Sequence, residues 1–213
     1  MVFVPEELDQ YRLHAPATDR NREPLLQVLQ DFLPASGTVL EIAAGTGEHA
    51  AYFAKGMPHL TWLPSDILKE HLSSIEAWRQ HTRAKNMLSP LLLDVTEAPW
   101  PVEKYAPVKP VTAIVAINMV HIAPWDAVES LFDGAARILS WGGVLVLYGP
   151  FRVGGEHTAP SNQAFHENLI TSNPQWGVRD LDSVKSLARA RGFAEPDVMD
   201  MPANNLSLVF RLS

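Results

Sequence analysis

The stretch VLEIAAGTGEHAAYFA, Val39 to Ala54, constrains the fold more than any other part of this 213-residue chain. An apolar run closes on an acid, Glu41, passes through Gly45 and Gly47, and continues with helical composition. A strand, a glycine turn and a helix start in that order aim backbone N–H groups at a charged ligand. The acid lies just ahead of the glycines, where a dinucleotide has no particular need of a carboxylate. A ligand with an ammonium group does, and the methionyl tail of S-adenosylmethionine (SAM) carries one. The loop also satisfies the looser Gly-x-Gly-x-x-Ala pattern through Gly45, Gly47 and Ala50, so a nicotinamide dinucleotide stays open here. In the SAM version Ala43 stands at the first glycine position, small enough to keep a ligand close but averse to positive φ.

Periodicity extends this start into an alternating pattern. Leu25, Leu26, Val28, Leu29 and Phe32 give an apolar stripe to a helix over Asn21–Phe32, with Asp19 as its cap. Strands are expected at Thr38–Ala43, Leu60–Leu63, Leu88–Leu93, Val111–Ile117 and Val144–Tyr148. Helices are expected at Gly47–Lys55, Lys69–Lys85 and Pro124–Leu139. Five strands alternating with helices imply a parallel sheet. Gly149–Asp180 is rich in Gly, Pro, Ser and Asn, with one helix around Asn162–Thr171. After a helix at Leu181–Arg191, the runs Asp197–Met201 and Leu206–Leu212 are joined by Pro202-Ala-Asn-Asn205, which predicts an antiparallel hairpin. The expected fold is α/β: a Rossmann-like, doubly wound, mostly parallel seven-stranded sheet with a C-terminal antiparallel hairpin. That is the class I methyltransferase plan, read as one domain over residues 1–213 with an insertion or lid at 149–180. The segment up to Thr18 is expected to wrap the domain surface.

Composition narrows the partners. A formal charge of −7 argues against a nucleic-acid substrate. Without cysteine there is no disulfide frame and no thiolate zinc site, and the eight histidines show no metal-binding spacing. No apolar run approaches the ~20 residues of a membrane span. The N-terminus lacks the features of a signal peptide, so a cytoplasmic location is the expectation.

The chain resembles the methyltransferase-like 26 family (domain of unknown function 938) over nearly its whole length. The resemblance rests on Arg20-Asn21-Arg22-Glu23-Pro24, VLEIAAGTGEHA from Val39, Pro64-Ser-Asp66, INMVHIAPW from Ile117 and YGPF from Tyr148. It continues through Ser161-Asn162-x-x-Phe165 and Pro174-x-Trp176-Gly177-x-Arg179-Asp180. Ala43 is normal for this family; where the family has Asp after the Phe of Ser-Asn-x-x-Phe, this chain has His166. The resemblance implies a SAM-binding fold and methyl transfer, and supplies no substrate.

The residues take roles on that frame, each with a plainer alternative. Glu41 is expected to anchor the methionyl ammonium, or to cap a neighbouring turn, with Ala43, Gly45 and Gly47 lying against the ligand. Asp66 closes the second strand, where an acid can accept both ribose hydroxyls; its alternative is to cap the next helix. Ile67 packs on an adenine face or in the core. Asp94 can accept the adenine amino group, with Val95 beside it, or form a turn. Asn118 orients an acceptor or holds backbone. Arg20 and Asn21 reach the SAM carboxylate, or Arg20 makes a surface salt bridge. His121 is the candidate general base, or a wall residue. Tyr148, Phe151, Phe165 and Trp176 form an aromatic acceptor pocket or core, and His157, Asn162 and Arg179 are further acceptor contacts.

The expected function is SAM-dependent methyl transfer to an oxygen or nitrogen of a small-molecule acceptor, with no metal. Two alternatives stay open: a non-catalytic binder of SAM or S-adenosylhomocysteine (SAH), and an NAD-dependent oxidoreductase.

Overall fold

The computed structural model describes residues 9–213. The first eight residues of the expected surface wrap lie outside the described residues. The chain forms two compact units. The first runs to Asp94 and includes Trp100–Val115; the second holds Val95–Pro99 and Ala116–Ser213.

In the first unit, helix α1 (Pro16–Phe32) begins earlier than its apolar stripe suggests. Pro16 supplies a φ suited to a first turn and lacks an N–H that the helix could not use there. Asp19 therefore sits in the first turn rather than at the cap, and Pro24 lies inside the helix. Strand β1 (Thr38–Ile42) is buried along its whole length. Helix α2 (Glu48–Gly56) and strand β2 (Thr61–Asp66) follow. The sequence closes β2 at Pro64, but its parallel register with β1 continues through Glu41↔Pro64. Proline removes one donor while keeping an extended φ. Helix α3 (Lys69–Thr82) stops three residues short of expectation, with Arg83 left-handed at φ 53°.

The third strand shrinks most. Only Leu91–Leu92 (β3) pairs regularly with Ser65 and Asp66. The preceding residues touch β2 through Trp62 N–H to Asn86 O (2.8 Å) and Leu88 N–H to Trp62 O (2.8 Å). Pro90, which has no N–H to give, then interrupts the ladder. Helix α4 (Pro101–Lys104) is short, and β4 (Val111–Ile117) matches its apolar run. The entry segment lies on α3, where Leu13 N–H donates to Ser74 Oγ (2.8 Å) and Trp78 Nε1–H to Leu13 O (2.9 Å).

In the second unit, α5 (Trp125–Ile138) leads to β5 (Val144–Gly149). A small hairpin follows, β6 (Arg152–Val153) and β7 (Glu156–His157), joined by Gly154-Gly155. Then come α6 (Pro160–Ser172) and α7 (Leu181–Ala190), the latter capped by Asp180 accepting from the Asp182 and Ser183 N–H groups. Strands β8 (Asp197–Met201) and β9 (Asn205–Arg211) form the predicted hairpin. Strand β9 runs antiparallel to β5 from Val144↔Arg211 to Gly149↔Leu206. Phe132, Phe193 and Phe210 meet edge-on, with centroids 5.5–6.4 Å apart, an arrangement that adds to their area burial.

The seven-stranded sheet has the order β3-β2-β1-β4-β5-β9-β8. It is parallel in its β1–β2–β3 part and antiparallel at its C-terminal strands. No helix among the described residues is long and apolar enough to cross a membrane.

Candidate functional site

In the first unit the chain leaves β1 through an alternation of backbone states. Ala43, Gly45 and Gly47 are left-handed, at φ 54°, 57° and 83°. The two glycines are needed for different reasons. A Cβ on Gly47 would lie 2.6 Å from the Ile75 Cα, so its absence lets α3 close on the turn. A Cβ on Gly45 would meet nothing within 4 Å, so that face of the loop is open. Asp66 holds the loop from β2: its Oδ2 accepts the Gly45 N–H at 2.8 Å. Its Oδ1 accepts the Leu68 N–H at 2.9 Å and faces His71 Nδ1 at 3.0 Å. Oδ1 is thus filled twice and Oδ2 once. One hydroxyl can join Asp66 at Oδ2, and a second needs His71 to move, which narrows the two-hydroxyl expectation.

Glu41 is buried, and its Oε2 accepts the Trp62 indole N–H at 2.6 Å. Burial pushes its pKa up to about 8, with the Asp66 charge adding to the rise and the indole bond opposing it. The carboxyl is therefore protonated at neutral pH, and an approaching cation would favour its ionised form. It caps no turn.

Ile67 does not join the core: it is 53% exposed, and Leu92, paired with Asp66 across the strands, is 50% exposed. Asp94 is half-buried just past β3. Val95 is buried and belongs to the second unit.

The carboxylate expectation needs correction for Asn21 and not for Arg20. Arg20 is exposed, whereas Asn21 is buried with its Oδ1 2.7 Å from His49 Nε2. Burial first, then the Arg22 charge, lowers the His49 pKa to about 4, so the neutral ring donates to Asn21 and the amide oxygen is spent on α2. The cation that approaches the start of α2 is Arg22, 3.8 Å from Glu48 and 2.9 Å from Asp19. Sequence reasoning assigned no role to Trp62, His71, His49 or Arg22, because nothing local marks a side chain that meets a loop from another element.

In the second unit Asn118 follows the last residue of β4, is left-handed at φ 59° and donates its N–H to Tyr148 O at 2.7 Å. Asn tolerates that conformation better than most residues. The following turn brings His121 into full burial, its ring edge-on to Phe151 at 4.7 Å. A Cβ on Gly149 would collide with His121 Nε2 and come within 3.1 Å of Asn118 Oδ1, so both side chains converge on that backbone.

His121 Nδ1 accepts the Arg179 N–H at 3.2 Å, while Nε2 is buried without a partner. Burial first, then the Arg179 charge, lowers the pKa to about 3, with the Gly177 backbone opposing. With Nδ1 filled, the neutral ring carries its hydrogen on Nε2. A ring in that state donates at Nε2 and has no free nitrogen to receive a proton. The general-base expectation is corrected to that of a donor.

The acceptor residues separate in the same way. Tyr148 and Phe151 are core side chains, 2% and 0% exposed, and the Tyr148 hydroxyl accepts from Asn205 Nδ2 at 3.0 Å. Asn162 is buried and spends its amide on Asn204 O (2.8 Å) and Thr158 Oγ1 (3.0 Å). Arg179 clamps the turn after β4, donating to Val120 O (3.0 Å), Ala123 O (2.6 Å) and Gln175 O (2.9 Å). These four hold structure rather than offer a free face. Phe165, Trp176 and His157 are half-buried and keep surface available. Among the described residues, no group of three His, Asp or Glu side chains is placed to hold a metal ion.

The sheet order, its C-terminal antiparallel strands and the loop after β1 define a class I methyltransferase fold. The chain belongs to the family described as protein of unknown function (DUF938), whose model matches residues 12–212. Solved structures of similar fold include an O-methyltransferase family protein from Burkholderia thailandensis, 14% identical, with TM-score 0.75 over 98% of this chain and 59% of that one. PigF with SAH is 12% identical, with TM-score 0.74 over 98% of this chain and 60% of that one. Human N-acetylserotonin methyltransferase in complex with SAM is 14% identical, with TM-score 0.67 over 98% and 56%. The chain thus spans under two thirds of the length of these structures.

Proposed function

We propose that this protein is a SAM-dependent methyltransferase of the methyltransferase-like 26 type, transferring a methyl group to an oxygen or nitrogen of a small molecule. The observation that carries the reading is the open face at Gly45, beside a loop pinned by Asp66. Glu41 takes the methionyl ammonium and ionises as it does so. Asp66 takes a ribose hydroxyl at Oδ2. Ile67 and Leu92, exposed apolar side chains next to Asp66, offer faces for the adenine, and Asp94 follows them in sequence for its polar edge.

Sulfonium SAM is already a strong electrophile, so alignment of the acceptor supplies much of the rate. His121 serves as a fixed donor at Nε2, with Asn118 beside it, orienting the acceptor rather than removing its proton. Phe165, Trp176 and His157 are the acceptor contacts that remain available in the insertion.

Calorimetric and thermal-shift titrations with SAH, SAM and NADH, on wild type and Asp66→Ala, test the cofactor. At a thousandfold excess over Kd, SAH should stabilise wild type by about 4 kcal/mol, and Asp66→Ala should lose most of that response. An NADH response without one to SAH would sink the reading.

A further inference from the structure

Three consecutive residues of the second unit, Gly177, Val178 and Arg179, set the positions of two histidines and an arginine. The Gly177 N–H donates to His121 O (2.9 Å), and the Arg179 N–H to His121 Nδ1 (3.2 Å). Between them, the Val178 N–H donates to His166 Nδ1 at 3.0 Å. Arg179 O accepts the Arg152 N–H at 2.9 Å. One extended segment therefore holds the His121 ring and the Arg152–His166 neighbourhood together.

That neighbourhood is rich in donors and poor in acceptors. Arg152 lies directly opposite His157 across the β6–β7 hairpin, and the His157 and His166 rings are 4.9 Å apart. Arg152 Nε and His157 Nδ1 are buried without a hydrogen-bond partner, and Arg152 has no carboxylate partner among the described residues. His166 receives a bond at Nδ1, so its hydrogen is on Nε2 and available. Burial first, then His157 and Arg152, hold its pKa below the ordinary value, with Glu167 opposing.

The nearby carboxylates are engaged or turned away. Asp180 accepts the Gly155 N–H and caps α7. Glu167 accepts from Gln163 Nε2 at 3.0 Å. Glu156 is paired with Val153, one position off the Arg152–His157 pair and so on the other face of the hairpin. In a chain of net charge −7, an uncompensated guanidinium beside two imidazoles is a local reversal of sign. A buried guanidinium N–H and a buried imidazole nitrogen without partners are uncommon in native proteins unless a ligand satisfies them.

We infer that Arg152, His157 and His166 form a subsite for an oxyanion, a carboxylate or a phosphate, carried by the small-molecule acceptor. The inference rests on the methyltransferase reading for the word acceptor, and on unit-two geometry alone for the anion. The Arg152 fork grips two oxygens of the anion, and the imidazole N–H groups donate to what remains.

The test is calorimetry on the full chain with benzoate, phenyl phosphate and the neutral isostere benzamide, each with and without SAH. One of the two anions should bind at least tenfold more tightly than benzamide, and which one does so assigns carboxylate or phosphate. Arg152→Gln should erase that preference, while Arg189→Gln, at an exposed pair with Glu195, should keep it. If Arg152→Gln misfolds, imidazole resonances of wild-type His157 and His166 should shift with the anion and stay still with benzamide. Anions binding no better than benzamide, or a preference that survives Arg152→Gln, overturns the subsite. SAH binding without anion binding removes the subsite and leaves the methyltransferase reading. Anion binding without SAH binding does the reverse.

Discussion

Glu41 and His121 show how burial decides chemistry at the scale of one side chain. A carboxyl raised to about 8 is protonated in the native state and ionised in the unfolded chain from about pH 4.5 upward. Stability that is full below the unfolded value is therefore lost as pH rises through the folded one, at about 1.4 kcal/mol per pH unit. Glu41→Gln should flatten that decline, read as unfolding free energy from urea titrations at pH 5, 6, 7 and 8. An unchanged slope would mean that the native carboxyl is ionised. For His121, held neutral down to about pH 3, the ring resonances should not titrate between pH 5 and 8. A midpoint near 6.5 in that range would restore the general-base role. Ala43 pays a conformational cost of its own at φ 54°. Ala43→Gly should stabilise the fold by about 0.5–1 kcal/mol, the relief of the Cβ clash less the added freedom of the unfolded chain.

Elements in this molecule are set by where one chain segment lets another approach. The turn after β1 needs Gly47 because α3 crosses it at Ile75, and needs Gly45 for backbone conformation alone. Gly47→Ala should cost about 2–4 kcal/mol, strain and overpacking together, while Gly45→Ala should cost only about 1–2 kcal/mol. Chemical denaturation ranks them, and an equal cost would mean that α3 can yield at Ile75. The β6–β7 hairpin teaches the converse lesson. Its Gly154-Gly155 pair is a strong two-residue turn signal, but the flanking strands are two residues each, too short for alternation to show.

Across the whole molecule the three strongly shifted buried groups combine into one pH profile. His49 and His121, neutral in the native state, take up protons on unfolding below about pH 6.5, so stability is lost as pH falls. Glu41 releases its proton on unfolding above about pH 4.5, so its contribution runs the other way up to about pH 8. Two protons against one leave a net gain of about 1.4 kcal/mol per unit up to pH 6.5, and a similar loss beyond it. The melting temperature should peak near pH 6.5. A plateau extending to pH 8 would show that Glu41 does not hold its proton.

The sequence by itself determined the chain order of the seven strands of the main sheet and of the longer helices between them, the Val111–Ile117 strand, the Asp197–Met201 strand and the glycine turn after β1. These rest on period, chain stiffness and backbone sterics, which act over a few residues and are written locally. The tertiary structure decided how the candidate residues are employed. Asn21 was claimed by His49, Asn162 by Asn204 and Thr158, and Tyr148 and Phe151 by the core. Trp62 reached Glu41 from the neighbouring strand, and Arg179 N–H filled the one nitrogen His121 needed to act as a base. Burial and hydrogen-bond occupancy depend on partners distant in sequence, so a side chain's chemistry is fixed only when those partners arrive.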